Sequence, residues 1–378
     1  MTHHFRTVSD IRIERGGASR LDAHLDGLDA TRIAVVTDRG VRSLGLLDPA
    51  LAALQDAGYR VAVFDEVVAD PPEEIVLKGA QVVRDFDADL VIGFGGGSPM
   101  DTAKVISALV GSDQPIQNMY GVDRVTGPRL PLVLIPTTSG TGSEVTNVAI
   151  ITTGKTAKQG VVADPLYADR VLLDAELTRG LPAHITAATG IDAMVHAIEA
   201  YTSQHKKNPI SDALALTALR KLRRSLVQAT ITPDDLDARE DMLIGAMIAG
   251  QAFSNAPVGA VHGLAYPLGG FFHVPHGLSN SLVMTEVIKF NSEEDRAKRW
   301  YSEIAGELGL GSTPTSLIDE IERLKDGTKV PRLLRDVDIP DSAIPMMADD
   351  AITKERVLRN NPREVSYQDI LDIYGRIA

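Results

Sequence analysis

The chain of 378 residues contains no cysteine. This absence excludes disulfides, thiolate metal sites, iron–sulfur clusters and cysteine nucleophiles. Any metal must therefore be held by nitrogen and oxygen ligands. A chain without thiols also fits a reducing compartment, so we expect a cytoplasmic protein.

Basic residues are fewer than acidic residues. The sequence has 38 Lys and Arg against 51 Asp and Glu, which gives a formal net charge of -13. Nucleic acids and anionic membranes attract basic surfaces, so neither is expected as a partner.

Long apolar runs are also missing. The longest, residues 130–138, has the length of a strand, whereas a membrane-spanning helix needs about 20 apolar residues. The N-terminal Met-Thr-His-His-Phe-Arg has no basic segment followed by an apolar run, so no signal peptide is expected. The hydrophobic content of 44% is typical of a globular protein that buries a large core.

The first half of the chain alternates strands with helices. Short β-branched or apolar runs at 31–37, 60–64, 89–94 and 131–136 predict buried parallel strands. Helical patterns at 47–57, 71–86 and 100–110 lie between them. This alternation predicts a parallel sheet covered by helices on both faces, an α/β domain.

The pattern changes near residue 180, where the alternation stops. We therefore predict two domains, an α/β domain at 1–180 and an all-helical domain at 181–378. The predicted helices of the second domain are 183–203, 209–229, 235–254, 259–270, 278–290, 294–308, 314–325 and 365–377.

A glycine loop follows the third predicted strand. Gly95, Gly96 and Gly97 allow a close backbone approach, and Ser98 is predicted to cap the next helix, with Pro99 at its first position. The free amides of such a helix start favour a phosphate. The loop lacks both the usual Gly-x-Gly-x-x-Gly spacing and the end of a P-loop, and the alternative is a structural turn.

A second polar segment, residues 136–147, follows the next strand. Its hydroxyls and glycines fall at the carboxyl end of a strand, where open α/β sheets bind ligands. Asp38 ends an early strand and could accept hydrogen bonds from a ribose while repelling a 2′-phosphate, which favours NAD over NADP. A helix cap is the alternative role for Asp38, and Arg39 beside it could instead bind a phosphate.

Histidines cluster in the second half. His262, His273 and His276 fall within fifteen residues, and Asp192 and His196 are four apart on a predicted helix, so the last two share one face. We expect Asp192, His196, His262 and His276 to converge on one divalent cation. One carboxylate and three imidazoles suit Fe²⁺, Zn²⁺, Mn²⁺ or Co²⁺, and such a centre can act as a Lewis acid.

Five segments together resemble one family, the iron-containing (group III) alcohol dehydrogenases, over nearly the whole chain. They are Gly95-Gly-Gly-Ser-Pro-Met-Asp101, residues 136–144, Gly190-Ile-Asp-Ala-Met-Val-His196, residues 262–277 and Asn361-Pro-Arg-Glu364. The resemblance implies a Rossmann-like domain, an all-helical domain and the fold shared with dehydroquinate synthase.

The resemblance also implies roles for individual residues. The same Asp and three His would be the ligands of Fe²⁺, with Zn²⁺ as the other candidate. The residues that fall where the family contacts the nucleotide are Gly95, Gly96, Gly97, Ser98, Thr137, Thr138, Thr146 and Lys158. Beside them, we expect nucleotide contacts from Asp38, Asp101 and Val148. The family also suggests a homodimer or larger assembly.

One position departs from the family. Many members carry a histidine four residues after the third ligand, where this chain has Tyr266. A tyrosine with a pKa of about 10 is a poor base at neutral pH, so His273 is the other candidate for passing a proton. Either residue is expected to be catalytic.

We expect an NAD(P)-dependent, metal-dependent dehydrogenase that acts on a small alcohol, aldehyde or ketone. The alternatives are a dehydrogenase on the same scaffold for glycerol, lactaldehyde, hydroxybutyrate or maleylacetate, a lyase like dehydroquinate synthase, or a metal-free binding protein. The lyase would need Lys and Arg beside the clustered histidines, and residues 262–276 contain neither. Asn147, Phe253 and Tyr266 are candidates for the substrate pocket.

Overall fold

The computed structural model describes residues 3–112, 114–154 and 157–378. The chain divides into two compact units. The sheet unit comprises Thr7–Thr138 and Gly142–Gly180, and the helical unit comprises Leu181–Ala378 with Ser139–Thr141 and the N-terminal residues up to Arg6.

The described part of the sheet unit forms nine strands and four α-helices. The strands are β1 (Ile11–Ile13), β2 (Arg32–Asp38), β3 (Arg60–Val67), β4 (Leu90–Gly95), β5 (Gly121–Val122), β6 (Leu132–Pro136), β7 (Val148–Thr153), β8 (Ala157–Val162) and β9 (Arg170–Leu173). The helices are α1 (Arg39–Ser43), α2 (Asp48–Asp56), α3 (Glu73–Asp85) and α4 (Gly97–Gly111).

Six strands form a parallel sheet in the order β1-β9-β6-β4-β2-β3. The middle strands β4 and β6 are fully buried, as expected for the centre of a parallel sheet. Gly95 pairs with Pro136, and Val36 pairs with Gly93. The carboxyl ends of β2, β4 and β6 therefore lie side by side.

A smaller sheet has the order β5-β8-β7, in which β7 and β8 are antiparallel. The sequence analysis did not identify these strands. Along the first residues of β7, buried and partly exposed side chains alternate, because one face of the hairpin packs inward while the other stays accessible.

The start of α4 differs from the prediction. Ser98 was predicted as the N-cap and Pro99 as the first helical residue, and both assignments were wrong. The helix begins at Gly97 with Gly96 as its N-cap. Gly95 adopts a φ of 151°, which glycine tolerates, so the turn is complete earlier and Ser98 lies within the first helical turn.

The helical unit contains ten α-helices among its described residues, and each of the eight predicted ones is present. They are α5 (Ala183–Tyr201), α6 (Pro209–Ile231), α7 (Leu236–Asn255), α8 (Ala260–Phe272), α9 (His276–Asn291), α10 (Asp295–Glu307), α11 (Pro314–Thr328), α12 (Ile344–Ala351), α13 (Glu355–Leu358) and α14 (Tyr367–Arg376). A parallel-sheet unit and a helical unit confirm the predicted fold class.

Helix α5 is buried along most of its length and packs against α6, α7 and α9. Gly190 permits this approach, because a β-carbon there would lie 2.5 Å from side-chain atoms of Leu226 and Met242. The helix that carries Asp192 and His196 is therefore held on several sides. No helix of the described residues combines the length and apolarity that crossing a membrane requires.

Candidate metal centre and nucleotide-binding edge

Four side chains of the helical unit meet at one point. Asp192, His196, His262 and His276 each offer one ligand atom, and these atoms all lie within 4.8 Å of one another. The first two lie one turn apart on α5, the third lies in the first turn of α8, and the fourth is the first residue of α9. Three are buried, and the side chain of His276 is 36% exposed, so the cluster is accessible from one side.

Gly277 brings the start of α9 against α5. A β-carbon at this position would lie 2.3 Å from the carbonyl oxygen of Ala188 and 3.0 Å from Cβ of Asp192. Only glycine fits without moving one helix, because contacts of 2.3 Å are far below van der Waals distance. This close packing places His276 beside the carboxylate of Asp192, with Nε2 3.8 Å from Oδ1.

Glu199 orients His262. Its Oε2 accepts a hydrogen bond from Nδ1 of His262 at 2.6 Å, and its Oε1 accepts one from the backbone N–H of Val261 at 2.7 Å. With the proton held on Nδ1, the lone pair of Nε2 faces the cluster. The sequence analysis did not identify Glu199, although its place three residues after His196 on α5 was a usable signal.

Asn280 supports the carboxylate. Its Nδ2 donates to Oδ1 of Asp192 at 2.6 Å and lies 3.3 Å from Nε2 of both His262 and His276. The sequence analysis also missed this residue, which follows His276 by one helical turn. Glu199 and Asn280 together restrict the orientation of three of the four candidate ligands.

Burial sets the protonation of the cluster. It lowers the pKa of His196 to about 3, against the opposing attraction of Asp192. Burial alone would raise the pKa of Asp192, but His196, His276, His262 and the Asn280 hydrogen bond outweigh it and hold that pKa below its usual value. At neutral pH the cluster therefore contains a neutral His196 beside a carboxylate.

This arrangement fits a cation. Nε2 of His196 lies 3.1 Å from Nε2 of His262. The Nε2 atom of His262 carries a lone pair, because the proton of that ring is on Nδ1. Within the described chain, Oδ1 of Asn280 has no hydrogen-bond partner. Buried nitrogens and a carboxylate directed at one point repel each other unless a cation lies between them, and a set of three nitrogens and one oxygen suits Fe²⁺ or Zn²⁺.

Two aromatic rings flank the cluster. Phe253 stacks on His196 with ring centroids 4.3 Å apart, and the ring of Tyr266 lies 6.1 Å from that of His276 and 6.4 Å from that of His262. Burial raises the pKa of Tyr266, so its hydroxyl is protonated at neutral pH.

His273 is exposed at the left-handed C-cap of α8 with a φ of 56°. Tyr266 thus lies against the candidate ligands, and the proton-relay role of either residue stays a prediction.

The nucleotide candidates of the sheet unit lie on adjacent strand ends. Asp38 ends β2, Gly95 ends β4 and Thr137 follows β6, with the N–H of Thr137 donating to Gly95 O at 3.0 Å. A β-carbon on Gly96 would lie 3.5 Å from the side chain of Thr138. Gly97 and Ser98 begin α4 at the same edge.

Asp38 also caps α1, since its Oδ1 accepts a hydrogen bond from the backbone N–H of Val41 at 2.9 Å. The other carboxylate oxygen of Asp38 does not take part in this cap.

The other nucleotide candidates make contacts within the protein. Asp101, Thr146 and Val148 meet around the amine of Lys104, a residue to which the sequence analysis gave no role. Lys158 forms an ion pair with Asp70, at 2.6 Å between Nζ and Oδ1. Their predicted contacts with a nucleotide stay predictions.

Comparison with known proteins agrees with the geometry. Residues 9–175 match the family model for iron-containing alcohol dehydrogenase, and residues 186–378 match the model for the C-terminal part of the Fe-containing alcohol dehydrogenase family. The chain is 40% identical over 369 residues to long-chain-alcohol dehydrogenase 1 of Geobacillus thermodenitrificans, covering 95% of this chain and 92% of that protein.

Solved structures share the whole fold. A crystal structure of 1,3-propanediol oxidoreductase is 32% identical, with a TM-score of 0.94 and full coverage of both chains. A sulfoacetaldehyde reductase from Bifidobacterium kashiwanohense, solved in complex with NAD+, is 27% identical with a TM-score of 0.91, covering 100% of this chain and 99% of that one. The resemblance found in the sequence is confirmed, and this chain belongs to the iron-containing alcohol dehydrogenase family and is an oxidoreductase.

Proposed function

We propose that the enzyme transfers a hydride between a small alcohol, or the corresponding aldehyde or ketone, and the nicotinamide of NAD, with a divalent metal held by Asp192, His196, His262 and His276. The observation that carries the proposal is the convergence of these four ligand atoms within 4.8 Å. Fe²⁺ is the proposed metal and Zn²⁺ the alternative, because the same donor set serves both.

A metal bound there would supply Lewis acidity toward a substrate oxygen. The protein would contribute by fixing the orientation and the protonation state of the proposed ligands. Glu199 keeps the proton of His262 on Nδ1, Asn280 holds the carboxylate of Asp192, and burial keeps His196 neutral. Phe253 and Tyr266 cover the candidate ligands, and they would shield the reacting atoms from water. The protonated hydroxyl of Tyr266 can donate a hydrogen bond there, and His273 is the other proposed proton carrier.

In the sheet unit, Gly95, Gly96, Gly97 and Ser98 would bind the pyrophosphate at the start of α4, where free amides favour an anion. Thr137, Thr138, Thr146, Val148, Asp101 and Lys158 would bind the rest of the nucleotide. The free oxygen of Asp38 would accept a ribose hydroxyl and repel a 2′-phosphate, which supports NAD over NADP. This assigns nucleotide binding to 1–180 and metal and substrate binding to 181–378.

Assembly and location are further parts of the proposal. The family resemblance supports a homodimer or larger homo-oligomer, which light scattering after size exclusion would test. The absence of cysteine supports a cytoplasmic location, which fractionation of the source cells would test.

The test combines elemental analysis with nucleotide reduction assays over a panel of alcohols, with both NAD+ and NADP+. His276→Ala is expected to lose bound metal and turnover together. His205→Ala, at an exposed position of the same unit, is the matched control and is expected to keep both. Turnover by His276→Ala at the wild-type rate would remove His276 from the ligand set, and a wild type that reduces neither nucleotide with any alcohol would refute the proposal.

A further inference from the structure

Lys104 is a cationic residue that is fully buried in the sheet unit. It lies on α4, one turn after Asp101, and its side chain is 0% exposed. Its amine donates to Ser143 Oγ at 2.8 Å, to Val148 O at 2.8 Å and to Thr146 Oγ1 at 3.2 Å. An ammonium group has three N–H donors. All three are used, so Lys104 has none left for a phosphate.

Asp101 forms the second link between α4 and residues 143–150. It accepts from the Ser143 hydroxyl at 2.5 Å and from the backbone N–H of Ile150 at 2.9 Å. Since Ser143 accepts from Lys104 and donates to Asp101, the direction of its hydroxyl proton is fixed. Two consecutive turns of α4 are thereby tied to residues 143–150, which form a 3₁₀ turn and the start of β7.

The charges of this group make its geometry hard to change. Glu144 is also buried, and burial raises its pKa to about 7 and raises that of Asp101 as well. Burial lowers the pKa of Lys104, against the attraction of Asp101 and Glu144. A shift of residues 143–150 along α4 would leave a buried charge without its partner, which is strongly unfavourable in the interior of a protein. The cluster therefore permits one register.

We propose that Lys104 is a positioning residue for nucleotide binding, which with Asp101 holds residues 143–150 against the first turns of α4. This inference rests on the proposed function. The glycine loop precedes α4 directly, and Thr146 and Val148 are themselves candidate nucleotide contacts. The Lys104 amine thus sets the distance between two parts of one binding edge without touching the ligand.

The test measures NAD+ affinity by calorimetry in Lys104→Met, together with kinetics and bound metal. The methylene stem is retained and the three donated hydrogen bonds are lost. We expect the Kd and KM for NAD+ to rise by about tenfold or more, with the KM for the alcohol changed by less than about threefold. Metal content should be unchanged. Lys78→Met is the matched control, because Lys78 is exposed and pairs with the surface carboxylate of Glu66, and this variant should bind NAD+ as the wild type does.

Removal of a buried cation can prevent folding, so a milder variant is included. Ser143→Ala removes one acceptor from Lys104 and the hydroxyl donor to Asp101. We expect it to weaken NAD+ binding in the same direction by a smaller factor. If a folded Lys104→Met, or Ser143→Ala where the first does not fold, is less stable but binds NAD+ with wild-type affinity, Lys104 is only structural and the inference is wrong. A wild type that binds neither nucleotide would instead overturn the proposed function.

Discussion

Glu199→Gln tests how the protein orients its proposed metal ligands. In the wild type, two N–H donors, Nδ1 of His262 and the backbone of Val261, each have a carboxylate oxygen at 2.6 and 2.7 Å. A glutamine has one oxygen and one NH₂ group, so it can accept from only one of them. If the oxygen faces Val261, the NH₂ group faces Nδ1, and the imidazole must move its proton to Nε2, where the metal would bind. If the oxygen faces His262, two donors oppose each other at Val261 in a buried site.

The expected loss follows from these alternatives. Substitution of a residue that orients a metal ligand typically lowers metal affinity by about 10–100-fold, which corresponds to about 1.4–2.8 kcal/mol. We expect Glu199→Gln to lie in this range, with all four ligands still present. Competition with a chromophoric chelator under anaerobic conditions would give the Kd for Fe²⁺ and for Zn²⁺.

The matched control is Glu303→Gln. Glu303 is an exposed residue of the same unit that accepts a hydrogen bond from the hydroxyl of Tyr201 at 3.0 Å, and its substitution should leave metal affinity unchanged. Thermal unfolding of both metal-free variants would separate a loss of affinity from a loss of fold. If Glu199→Gln binds metal as tightly as the control, the tautomer of His262 does not depend on Glu199 and the reasoning fails.

Three further predictions follow from the same geometry. Gly277→Ala would put a β-carbon 2.3 Å from a carbonyl oxygen of α5, so it should lower stability by about 1–3 kcal/mol and reduce bound metal in elemental analysis; Gly270→Ala, in open space on α8, should do neither. Asp38→Ala should lower the ratio of kcat/KM for NAD+ to that for NADP+ by about tenfold, and an unchanged ratio would contradict its proposed role. The pKa of His196 is lowered to about 3, so only the unfolded state gains this proton between about pH 6.5 and 3. Urea unfolding of metal-free protein should therefore show stability falling by about 1.4 kcal/mol per pH unit below pH 6.5, and His196→Gln should lack this component.

The sequence was informative where local periodicity decides structure. Asp192 and His196 lie four residues apart on a continuous helical pattern, so their shared face could be predicted before any fold was known. The parallel strands were predictable for a similar reason, because β2, β4 and β6 are short apolar runs that end in glycine, proline or aspartate.

Contacts between distant residues were not predictable in the same way. The carboxylate of Glu199 reaches the ring of His262 across 63 residues, and Lys104 reaches Ser143 across 39. No spacing in the sequence encodes such pairs, because they depend on how α5 meets α8 and how α4 meets the smaller sheet. The antiparallel hairpin of that sheet was missed although β7 begins with the apolar run 148–151, because its partner β8 carries the polar Lys158 and Gln159 in its first half and both strands are only partly buried.

The two buried clusters solve the problem of internal charge in different ways. Around Lys104 the protein supplies both signs itself, so each polar atom has a partner before any ligand arrives, and the geometry is already set. Around Asp192 one carboxylate and three imidazoles bring their ligand atoms to one point, and the only charged group opposite them would be a cation from outside the chain, since the amide of Asn280 is a neutral donor. Such an arrangement costs folding free energy unless a cation from solution binds there. The contacts of the proposed nucleotide-binding edge are thus complete within the chain, whereas the proposed metal centre would be complete only with a bound cation.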